Sequence, residues 1–403
     1  MKLLVADKFS ERHLDAFRAL GLEVAYRPEL SASDLPGALA GVHVLVVRST
    51  VVSARAIEAA DALTLIVRAG AGVNTIDRAA ASRRGIFVAN CPGKNAIAVA
   101  ELAFGLILAV DRRIPDQVRE LAAGTWNKKE FGQADGLFGR TLGLIGLGAI
   151  GREVARRAGG FGMPVLAWSR SLDAGRAREL GVERADSPLE VARRADVISL
   201  HVALSPDTTR LCDARFFEAM KPRAVLVNTA RAEVVDAEAL ARAVSARGIR
   251  VALDVHAGEP DGGTGSLASP LLALPGVYGT HHVGASTRQA EGAIADEAVR
   301  IVRTFVRRGE VPNCVNLERR SPARWQLVVR HLDKVGVLAN VLGSLRRHQI
   351  NVEEMDNQVF EGATAACCAI RLGAEPPAEC LEEIRSRSDE VLLAALIPLP
   401  SEE

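Results

Sequence analysis

The sequence predicts an α/β protein with two successive doubly wound parallel sheets and a smaller C-terminal domain. Three observations support this prediction. Short apolar runs alternate with amphipathic segments through the first 95 residues, the alternation restarts near residue 140, and a β-α-β-β-α-β order begins at residue 325. Strands that alternate with helices form parallel sheets, because each helical crossover returns the chain to the same end of the sheet.

The first sheet is predicted from five apolar runs: KLLVA, LEVAYR, VHVLVVRS, LTLIVRAG and GIFVANCPG. The segment after residue 284 is helical and then irregular, so it cannot stand as a domain and should return to the first sheet. We therefore predict a discontinuous substrate-binding domain of residues 1–95 and 285–315, a dinucleotide-binding domain of residues 96–284, and a hinged cleft between them. Prolines and charge without periodicity in residues 311–324 indicate a linker.

The second unit contains a glycine-rich turn between a predicted strand and a predicted helix. The segment LGLIGLGAIGREVA places Gly146, Gly148 and Gly151 in a G-x-G-x-x-G pattern. In this context the first glycine allows a tight turn, the second lets the backbone approach a pyrophosphate, and the third allows close packing. Free amides at the helix start, at Ala149 and Ile150, attract the anion. The pattern predicts a Rossmann-like domain that binds a dinucleotide.

Ser169 and Arg170 follow the next predicted strand, in the segment PVLAWSRS. Dinucleotide-binding folds usually have Asp or Glu here, which binds the 2′-hydroxyl of the adenine ribose. A serine beside an arginine favours a 2′-phosphate, whereas an arginine that stacks on adenine is compatible with NAD. The sequence predicts NAD or NADP as the cofactor and leaves the choice open.

Three chemically active side chains follow three consecutive predicted strands. Arg231 follows AVLVNTA, Glu259 follows VALDV, and His282 lies in VYGTHHVGAS. Ligands of open α/β sheets bind at the carboxyl ends of the strands, so one crevice can collect all three. A guanidinium suits a carboxylate, and a histidine held by a carboxylate suits proton exchange with a hydroxyl. Each residue alone would be a surface charge, but together they predict an acid–base site.

Seven segments resemble the D-2-hydroxyacid dehydrogenase family: VRAGAGVNTID, NCPGKNAIAVAELAFGLILA, WNKKEF, GRTLGLIGLGAIGREVA, VNTARAEVVDAEAL, LDVHAGEP and HHVGAST. Within the family, the chain resembles the phosphoglycerate dehydrogenases that carry a C-terminal ACT domain. The resemblance covers nearly the whole chain. It implies that Arg231, Glu259 and His282 form the catalytic triad and that Asp254 faces the nicotinamide carboxamide.

The resemblance also implies a set of substrate contacts. Backbone amides of one loop would hold the substrate carboxylate, and this loop contains Ala71, Gly72, Val73 and Asn74. Arg68 opens the loop, and Lys128 and Lys129 fall where the family places phosphate-binding residues, although a solvated turn would also explain the lysines. The family resemblance, with its C-terminal ACT domain, and these cations together imply 3-phospho-D-glycerate, the substrate that belongs to serine biosynthesis. The alternative is a glyoxylate or hydroxypyruvate reductase.

Three residues depart from the family pattern. Ala232 stands where the family usually has Gly, His281 where it usually has Pro, and Ser169 where it usually has Asp. The first two can alter loop geometry without removing a reacting group, and the third leaves the cofactor open. A hypothesis from another class is a non-catalytic protein that senses dinucleotides, against which the intact triad argues.

The tail resembles an ACT domain, which pairs with a second copy and binds amino acids. His331 and Asn351 fall where serine-sensing members place ligand contacts, but Asp333 replaces their Asn. Two interpretations stay open: an amino-acid effector site, or a domain that only strengthens a homo-oligomer through its sheet edges. We predict a homo-oligomer with weak or no inhibition by L-serine.

The bulk composition excludes several classes of partner. The formal net charge of +1 gives no attraction to nucleic acid or to an acidic membrane. The most apolar run, LAFGLILAV, is too short to cross a bilayer. The six cysteines show no metal-ligand spacing, so we expect free thiols, no metal and a cytoplasmic location. The expected partner is a small 2-hydroxy or 2-oxo acid.

Overall fold

The computed structural model describes residues 1–260, 264–318, 321–387 and 389–400. The chain divides into two units, Met1–Asn316 and Leu317–Glu403, and each is described by itself. The last three residues of the predicted tail domain lie outside the described residues. No helix in the described ranges is both long and apolar enough to span a membrane.

The first five strands of Met1–Asn316 form one parallel sheet. They are β1 (Lys2–Val5), β2 (Glu23–Tyr26), β3 (Val44–Val47), β4 (Leu65–Arg68) and β5 (Phe87–Asn90). The connecting helices are α1 (Glu11–Arg18), α2 (Leu35–Ala38), α3 (Ala54–Ala59) and α4 (Arg78–Arg83). The spatial order is β2-β1-β3-β4-β5. The central strand β3 reads VLVV and is buried throughout, as a parallel strand covered on both faces requires.

The second sheet is preceded by three helices, which are α5 (Ala96–Arg112), α6 (Ile114–Ala122) and α7 (Lys128–Phe131). Its seven strands are β6 (Leu142–Ile145), β7 (Val165–Trp168), β8 (Glu183–Arg184), β9 (Val197–Leu200), β10 (Val225–Asn228), β11 (Arg250–Leu253) and β12 (Val277–Gly279). Its helices are α8 (Ala149–Gly160), α9 (Ala174–Glu179), α10 (Pro188–Arg194), α11 (Ala214–Ala219) and α12 (Ala237–Arg247). Short 3₁₀ turns occur at Ala232–Val234 and Pro270–Ala273.

The second sheet is parallel and has the order β12-β11-β10-β9-β6-β7-β8. This is the dinucleotide-binding order extended by one strand, and its switch point lies between β6 and β9. The glycine turn follows β6, so the topology places it beside the crevice where ligands of such sheets bind. Phe104 and Ile107 of α5 pack on this sheet, in one cluster with Leu144 and Val227.

A long helix, α13 (Arg288–Arg308), follows the second sheet and packs on the first sheet. Ala298 and Val302 of α13 are buried in one cluster with Val5, Val46 and Val67. After α13, Cys314 forms a bridge to Ala89 at the end of β5. The chain therefore passes from one sheet to the other twice. The domain boundaries at residues 95 and 285 stay a prediction.

The unit Leu317–Glu403 contains one antiparallel sheet with two helices on one face. Its elements are β13 (Trp325–Leu332), α14 (Val337–Arg347), β14 (Val352–Val359), β15 (Ala365–Leu372), α15 (Ala378–Arg385) and β16 (Val391–Pro398). The order β14-β15-β13-β16 is that of a ferredoxin-like βαββαβ domain. The predicted fold class is thus confirmed: two parallel sheets are followed by a separate small antiparallel domain.

Two local differences from the predicted elements bear on the site. The apolar segment VISLHV predicts a strand through Val202, but β9 ends at Leu200, so His201 lies past the carboxyl end of the strand rather than within the sheet. The predictions also omitted α6 and the two-residue strand β8. Neither has a strong signal in the sequence, since β8 is only two residues long and no residue of α6 is buried.

Candidate active site

Neighbouring strands bring the predicted triad to one edge of the second sheet. β10, β11 and β12 are adjacent and parallel. Arg231 follows β10, Glu259 lies in the loop after β11, and His282 follows β12. Because the carboxyl ends of parallel strands meet at one edge, residues separated by up to 51 positions in the chain follow strand ends at the same edge of the sheet.

Glu259 and His282 form a direct pair. The Nδ1 atom of His282 lies 2.6 Å from Oε2 of Glu259, and Oε1 of Glu259 accepts a hydrogen bond from the His256 amide at 2.7 Å. Burial raises the pKa of Glu259, but the hydrogen bonds from His282 and from the His256 amide outweigh it and hold that pKa below its usual value. The carboxylate therefore stays ionised, which makes Nδ1 of His282 the donor and leaves Nε2 as the unprotonated ring nitrogen.

The loop that carries His282 is bound to Asp254, which follows β11 directly. Asp254 is 2% exposed. Its carboxylate accepts hydrogen bonds from the Thr280 hydroxyl at 2.6 Å and from the amides of Val283 and Gly284, both at 2.9 Å. The structure thus places Asp254 against the loop, in addition to any contact with the cofactor that the family resemblance implies.

Arg231 and Arg68 form an electropositive pair beside the glycine-containing loop. Arg231 donates to the Ala230 carbonyl at 2.6 Å, and a Cβ added to Gly72 would lie 2.9 Å from its Nη2 atom. Burial lowers the pKa of Arg68, and the charge of Arg231 lowers it further. Within the described residues, the buried Nε of Arg68 has no acceptor. Two close guanidiniums with an unused donor fit an anionic ligand.

The predicted substrate loop follows β4 of the first sheet, shortly after Arg68, which is the last residue of that strand. Ala71, Gly72 and Val73 are partly buried, and Asn74 is exposed. The Asn90 side chain donates to the Ala71 carbonyl at 2.5 Å and so ties the loop to the end of β5. A side chain at position 72 would force the end of the Arg231 side chain to shift.

The glycine turn has the shape of a phosphate cradle. Gly146 has φ of 98°, and a Cβ on it would lie 2.4 Å from the His201 carbonyl oxygen. A Cβ on Gly151 would lie 2.2 Å from the Gly146 carbonyl oxygen, so a residue without a Cβ is needed for the helix to pack this closely on the turn. No atom lies within 4 Å of a Cβ placed on Gly148, the N-cap of α8. Ala149 and Ile150 begin the helix, with their amides free for an anion.

Three buried polar atoms near this turn were not anticipated from the sequence. Nδ1 of His201, Oγ1 of Thr229 and Oδ1 of Asn95 have no hydrogen-bond partner among the described residues. They lie past β9, past β10 and at the N-cap of α5, all around the switch point. Burial lowers the pKa of His201 to about 4, so it is neutral at pH 7. Orphaned polar groups beside an open glycine cradle fit a polar cofactor such as a dinucleotide.

A carboxylate lies next to Arg170, one of the two residues predicted to select the cofactor. Arg170 follows β7 after Ser169, and its Nη1 atom lies 3.3 Å from the Asp207 carboxylate. Both side chains are largely exposed. Asp207 belongs to the loop after β9, which lies two strands from β7 in the sheet, and its carboxylate reaches the side chain that follows Ser169. No motif in the sequence indicates this pairing.

The two predicted phosphate-binding lysines are not joined to the arginine pair within this chain. Lys128 and Lys129 begin the short helix α7 and are exposed. In the part of the chain that the structure describes, neither ammonium group forms an ion pair. Their role therefore stays a prediction.

The predicted effector residues lie apart in the small domain. His331 is 2% exposed, and its Nε2 atom lies 3.2 Å from Oδ1 of Asn357. Asn351 donates to Glu353 at 2.8 Å, and Asp333 is exposed. Each of the first two side chains already has a partner, so an amino acid bound there would have to displace existing contacts.

Ala232 fits the structure without strain. Arg231 has φ of −145°, and Ala232 begins a 3₁₀ turn with an ordinary backbone conformation, since it is absent from the residues with positive φ. Glycine is required where φ is positive. The backbone conformation at position 232 is therefore one that alanine adopts as readily as glycine.

Comparisons with known proteins are consistent with this geometry. Residues 104–284 match the family described as "D-isomer specific 2-hydroxyacid dehydrogenase, NAD binding domain". D-3-phosphoglycerate dehydrogenase from Archaeoglobus fulgidus is 38% identical over 87% of this chain and 67% of its own length. The enzyme of that name from Methanocaldococcus jannaschii is 38% identical over 86% of this chain and 64% of its own. The chain therefore spans about two thirds of these relatives.

The chain is also similar in fold to solved structures of such enzymes. The NADPH-dependent glyoxylate/hydroxypyruvate reductase from Sinorhizobium meliloti, in complex with NADP and malonate, has a TM-score of 0.68 and 27% identity. The match covers 79% of this chain and 98% of that one. The likeness extends over both parallel sheets, because the smaller unit makes up only the last part of the chain.

Proposed function

Because the chain belongs to the D-isomer specific 2-hydroxyacid dehydrogenase family, we propose that it interconverts a D-2-hydroxy acid and its 2-oxo acid with a nicotinamide dinucleotide. The observation that carries the proposal is the 2.6 Å pair of His282 and Glu259 at the same sheet edge as Arg231. This set supplies a proton acceptor, a charged group that orients it, and a carboxylate clamp.

Each residue of the set has a distinct step. In the oxidation direction, Nε2 of His282 accepts the proton of the C2 hydroxyl while Glu259 stabilises the imidazolium that forms. Arg231 holds the substrate carboxylate and stabilises the oxygen that becomes the carbonyl. A nicotinamide bound at this site would supply the acceptor for the hydride that leaves C2. In the reduction direction, His282 returns the proton to the oxygen.

We propose that the residues around the switch point bind the cofactor. The amides that begin α8 would hold the pyrophosphate, and the free polar atoms of His201 and Thr229 would bind polar groups of the dinucleotide. Gly148 supports this assignment because its surroundings leave room for close approach. Ser169 with Arg170 favours a 2′-phosphate, whereas Asp207 beside Arg170 opposes it, so NAD and NADP both remain candidates.

We propose 3-phospho-D-glycerate as the substrate. Two curated relatives at 38% identity are named for this substrate, and Arg68 offers a buried donor in addition to Arg231. A 2-hydroxy acid with a phosphate has two anionic ends, so a second guanidinium is chemically appropriate. The competing proposal is reduction of glyoxylate or hydroxypyruvate, which the name of the Sinorhizobium meliloti structure favours.

One set of kinetic measurements separates these candidates. We would measure kcat/KM for 3-phosphoglycerate oxidation with NAD and NADP, and for hydroxypyruvate and glyoxylate reduction with NADH and NADPH. Arg68→Met keeps much of the side-chain volume and removes the charge. It should lower kcat/KM for the phosphorylated acid more than for hydroxypyruvate, by at least about tenfold. Turnover of only unphosphorylated acids by the unaltered protein would exclude the phosphoglycerate assignment.

A further inference from the structure

The loop Thr280–Gly284, which carries His282, has one buried anchor. Asp254 accepts three hydrogen bonds from it, one from the Thr280 side chain and two from the amides of Val283 and Gly284. The bonds are 2.6 to 2.9 Å long and lie on both sides of His282 in sequence. A carboxylate offers about four acceptor positions. Three of them are therefore committed to this single loop.

The backbone of His282 requires such an anchor. Its φ is 52°, in the left-handed region that residues with a Cβ adopt only when the surrounding contacts impose it. The next two amides are the ones bound by Asp254. Gly284 is also required, since a Cβ there would lie 2.9 Å from Oδ2 of Asp254 and 3.5 Å from Val99.

A second contact joins the same two segments. Nε2 of His256 lies 2.8 Å from the Thr280 carbonyl oxygen, and the amide of His256 donates to Glu259. The segment that starts at Asp254 therefore holds both Glu259 and the loop of His282. Loss of the carboxylate would remove three of the contacts that hold the His282 loop and leave the His256–Thr280 contact and the Glu259 side in place.

We propose that Asp254 is a positioning residue that acts through His282. It holds the loop Thr280–Gly284 in the conformation in which Nδ1 of His282 meets Glu259 and Nε2 faces the substrate. This inference rests on the proposed function, and it gives Asp254 a role other than the contact with the nicotinamide carboxamide that the family resemblance implies. The two roles make different predictions for turnover and for cofactor affinity.

Asp254→Asn in the full chain tests the proposal. The asparagine side chain has the same shape as that of Asp254. Its NH₂ group, however, cannot accept a hydrogen bond, so at least one donor of the loop loses its acceptor. We expect kcat to fall by about 100-fold, the usual cost of a misplacement of about 1 Å at a reacting group. The Kd for NADH, or for NADPH if that binds better, should stay within about twofold of the unaltered protein in a fluorescence titration. A Kd at least tenfold higher with kcat retained would overturn the proposal.

Thr280 provides a graded version of the same test. Thr280→Val removes one of the three hydrogen bonds without a change of shape, and it should lower kcat by roughly three- to tenfold with unchanged Kd. Thr280→Ser keeps the hydroxyl and should restore most of that turnover. Asp213→Asn is a matched control, because the Asp213 carboxylate caps α11 by accepting from the Phe216 amide and asparagine also caps helices. Equal kcat losses in Thr280→Ser and Thr280→Val would contradict the proposal.

Hydrogen exchange distinguishes failure of the positioning role from failure of the proposed function. Without any ligand, the peptide that contains Val283 and Gly284 should exchange at least about tenfold faster in Asp254→Asn than in the unaltered protein or in Asp213→Asn. This result does not depend on turnover. Unchanged exchange in that peptide would overturn the positioning role, whereas absence of turnover in the unaltered protein with every 2-hydroxy acid would overturn only the proposed function.

Discussion

Nδ1 of His282 and Oε2 of Glu259 lie 2.6 Å apart although 22 residues separate them in the chain. Both residues leave adjacent parallel strands, β12 and β11. Their side chains are partly exposed, at 46% and 34%, so a substrate can reach the imidazole. This pair is the most direct link between the fold and the proposed proton transfer.

Replacement of His282 should abolish turnover and leave the cofactor bound. His282→Ala removes the proton acceptor, and we expect kcat to fall by about 10²–10⁴-fold. In the proposed cofactor site the glycine turn holds the dinucleotide independently of His282, so the Kd for NADH or NADPH should change by less than about threefold. Steady-state kinetics and a fluorescence titration measure the two quantities. His281→Ala is the neighbouring control and should retain most of kcat; wild-type kcat in His282→Ala would refute the assignment.

Replacement of Glu259 should move the pH profile rather than remove the reaction. Glu259→Gln removes a negative charge that favours the protonated imidazole of His282. In the oxidation direction His282 has to be neutral, so the acidic limb of the kcat/KM profile should move to lower pH. In the reduction direction His282 has to be protonated, so the alkaline limb of the kcat/KM profile should also move to lower pH. An unmoved profile in both directions would show that Glu259 does not act on the ring.

The cofactor preference should respond to the charges at the end of β7. Ser169→Asp adds a carboxylate that can accept from a 2′-hydroxyl and repels a 2′-phosphate. The ratio of kcat/KM for NAD to that for NADP should rise by at least about tenfold. Asp207→Asn should shift the ratio the opposite way by a smaller factor, because the exposed carboxylate next to Arg170 is lost. If neither substitution alters the ratio of kcat/KM for NAD to that for NADP, the adenine ribose does not bind at the end of β7.

Glu297 of α13 should support stability at neutral pH. Its carboxylate is buried and accepts from Arg300, Asn313 and Lys94, and these contacts, Arg300 first, lower its pKa to about 2 from a usual value of 4.5. A lowered pKa stabilises the fold above the usual value, and the contribution is lost as the pH falls from 4.5 towards 2. Glu297→Gln should therefore cost up to roughly 3 kcal/mol at pH 7.

Denaturant unfolding at pH 7 and near pH 3 measures this effect. The difference between Glu297→Gln and the unaltered protein should shrink at the lower pH. Glu238→Gln is a control on α12, because its side chain is 92% exposed, and it should change stability by less than about 0.5 kcal/mol. If the difference in unfolding free energy between Glu297→Gln and the unaltered protein is the same at both pH values, the charge of the Glu297 carboxylate does not cause it.

The small domain should contribute to assembly more than to regulation. β14 and β16 are the edge strands of its sheet, and Leu392, Met355 and Val359 are exposed large apolar residues on them. We expect a homo-oligomer that is weakened by deletion of residues 325–403, as measured by analytical ultracentrifugation. L-serine should inhibit weakly or not at all, because His331 and Asn351 already have partners. Strong serine inhibition that His331→Ala abolishes would reverse this view.

The sequence by itself determined the fold class, because hydrophobic periodicity and the glycine turn are local signals. Alternating apolar runs predicted both parallel sheets, and the spacing of Gly146, Gly148 and Gly151 predicted the cradle before α8. Motifs after successive strands also predicted that Arg231, Glu259 and His282 share a crevice. Each of these inferences needs only the order of residues along the chain and the rule that parallel strands end at one edge.

Only the tertiary structure decided how individual polar groups are paired. The three bonds of Asp254 to the His282 loop, the pair of Arg170 with Asp207, and the contacts of Glu297 with Lys94 join residues far apart in sequence. A hydrogen bond depends on distances of a few tenths of an ångström, which loop geometry sets and which periodicity does not encode. The same reason explains why the sequence predicted His282 as the reacting group but could not predict what holds it in place.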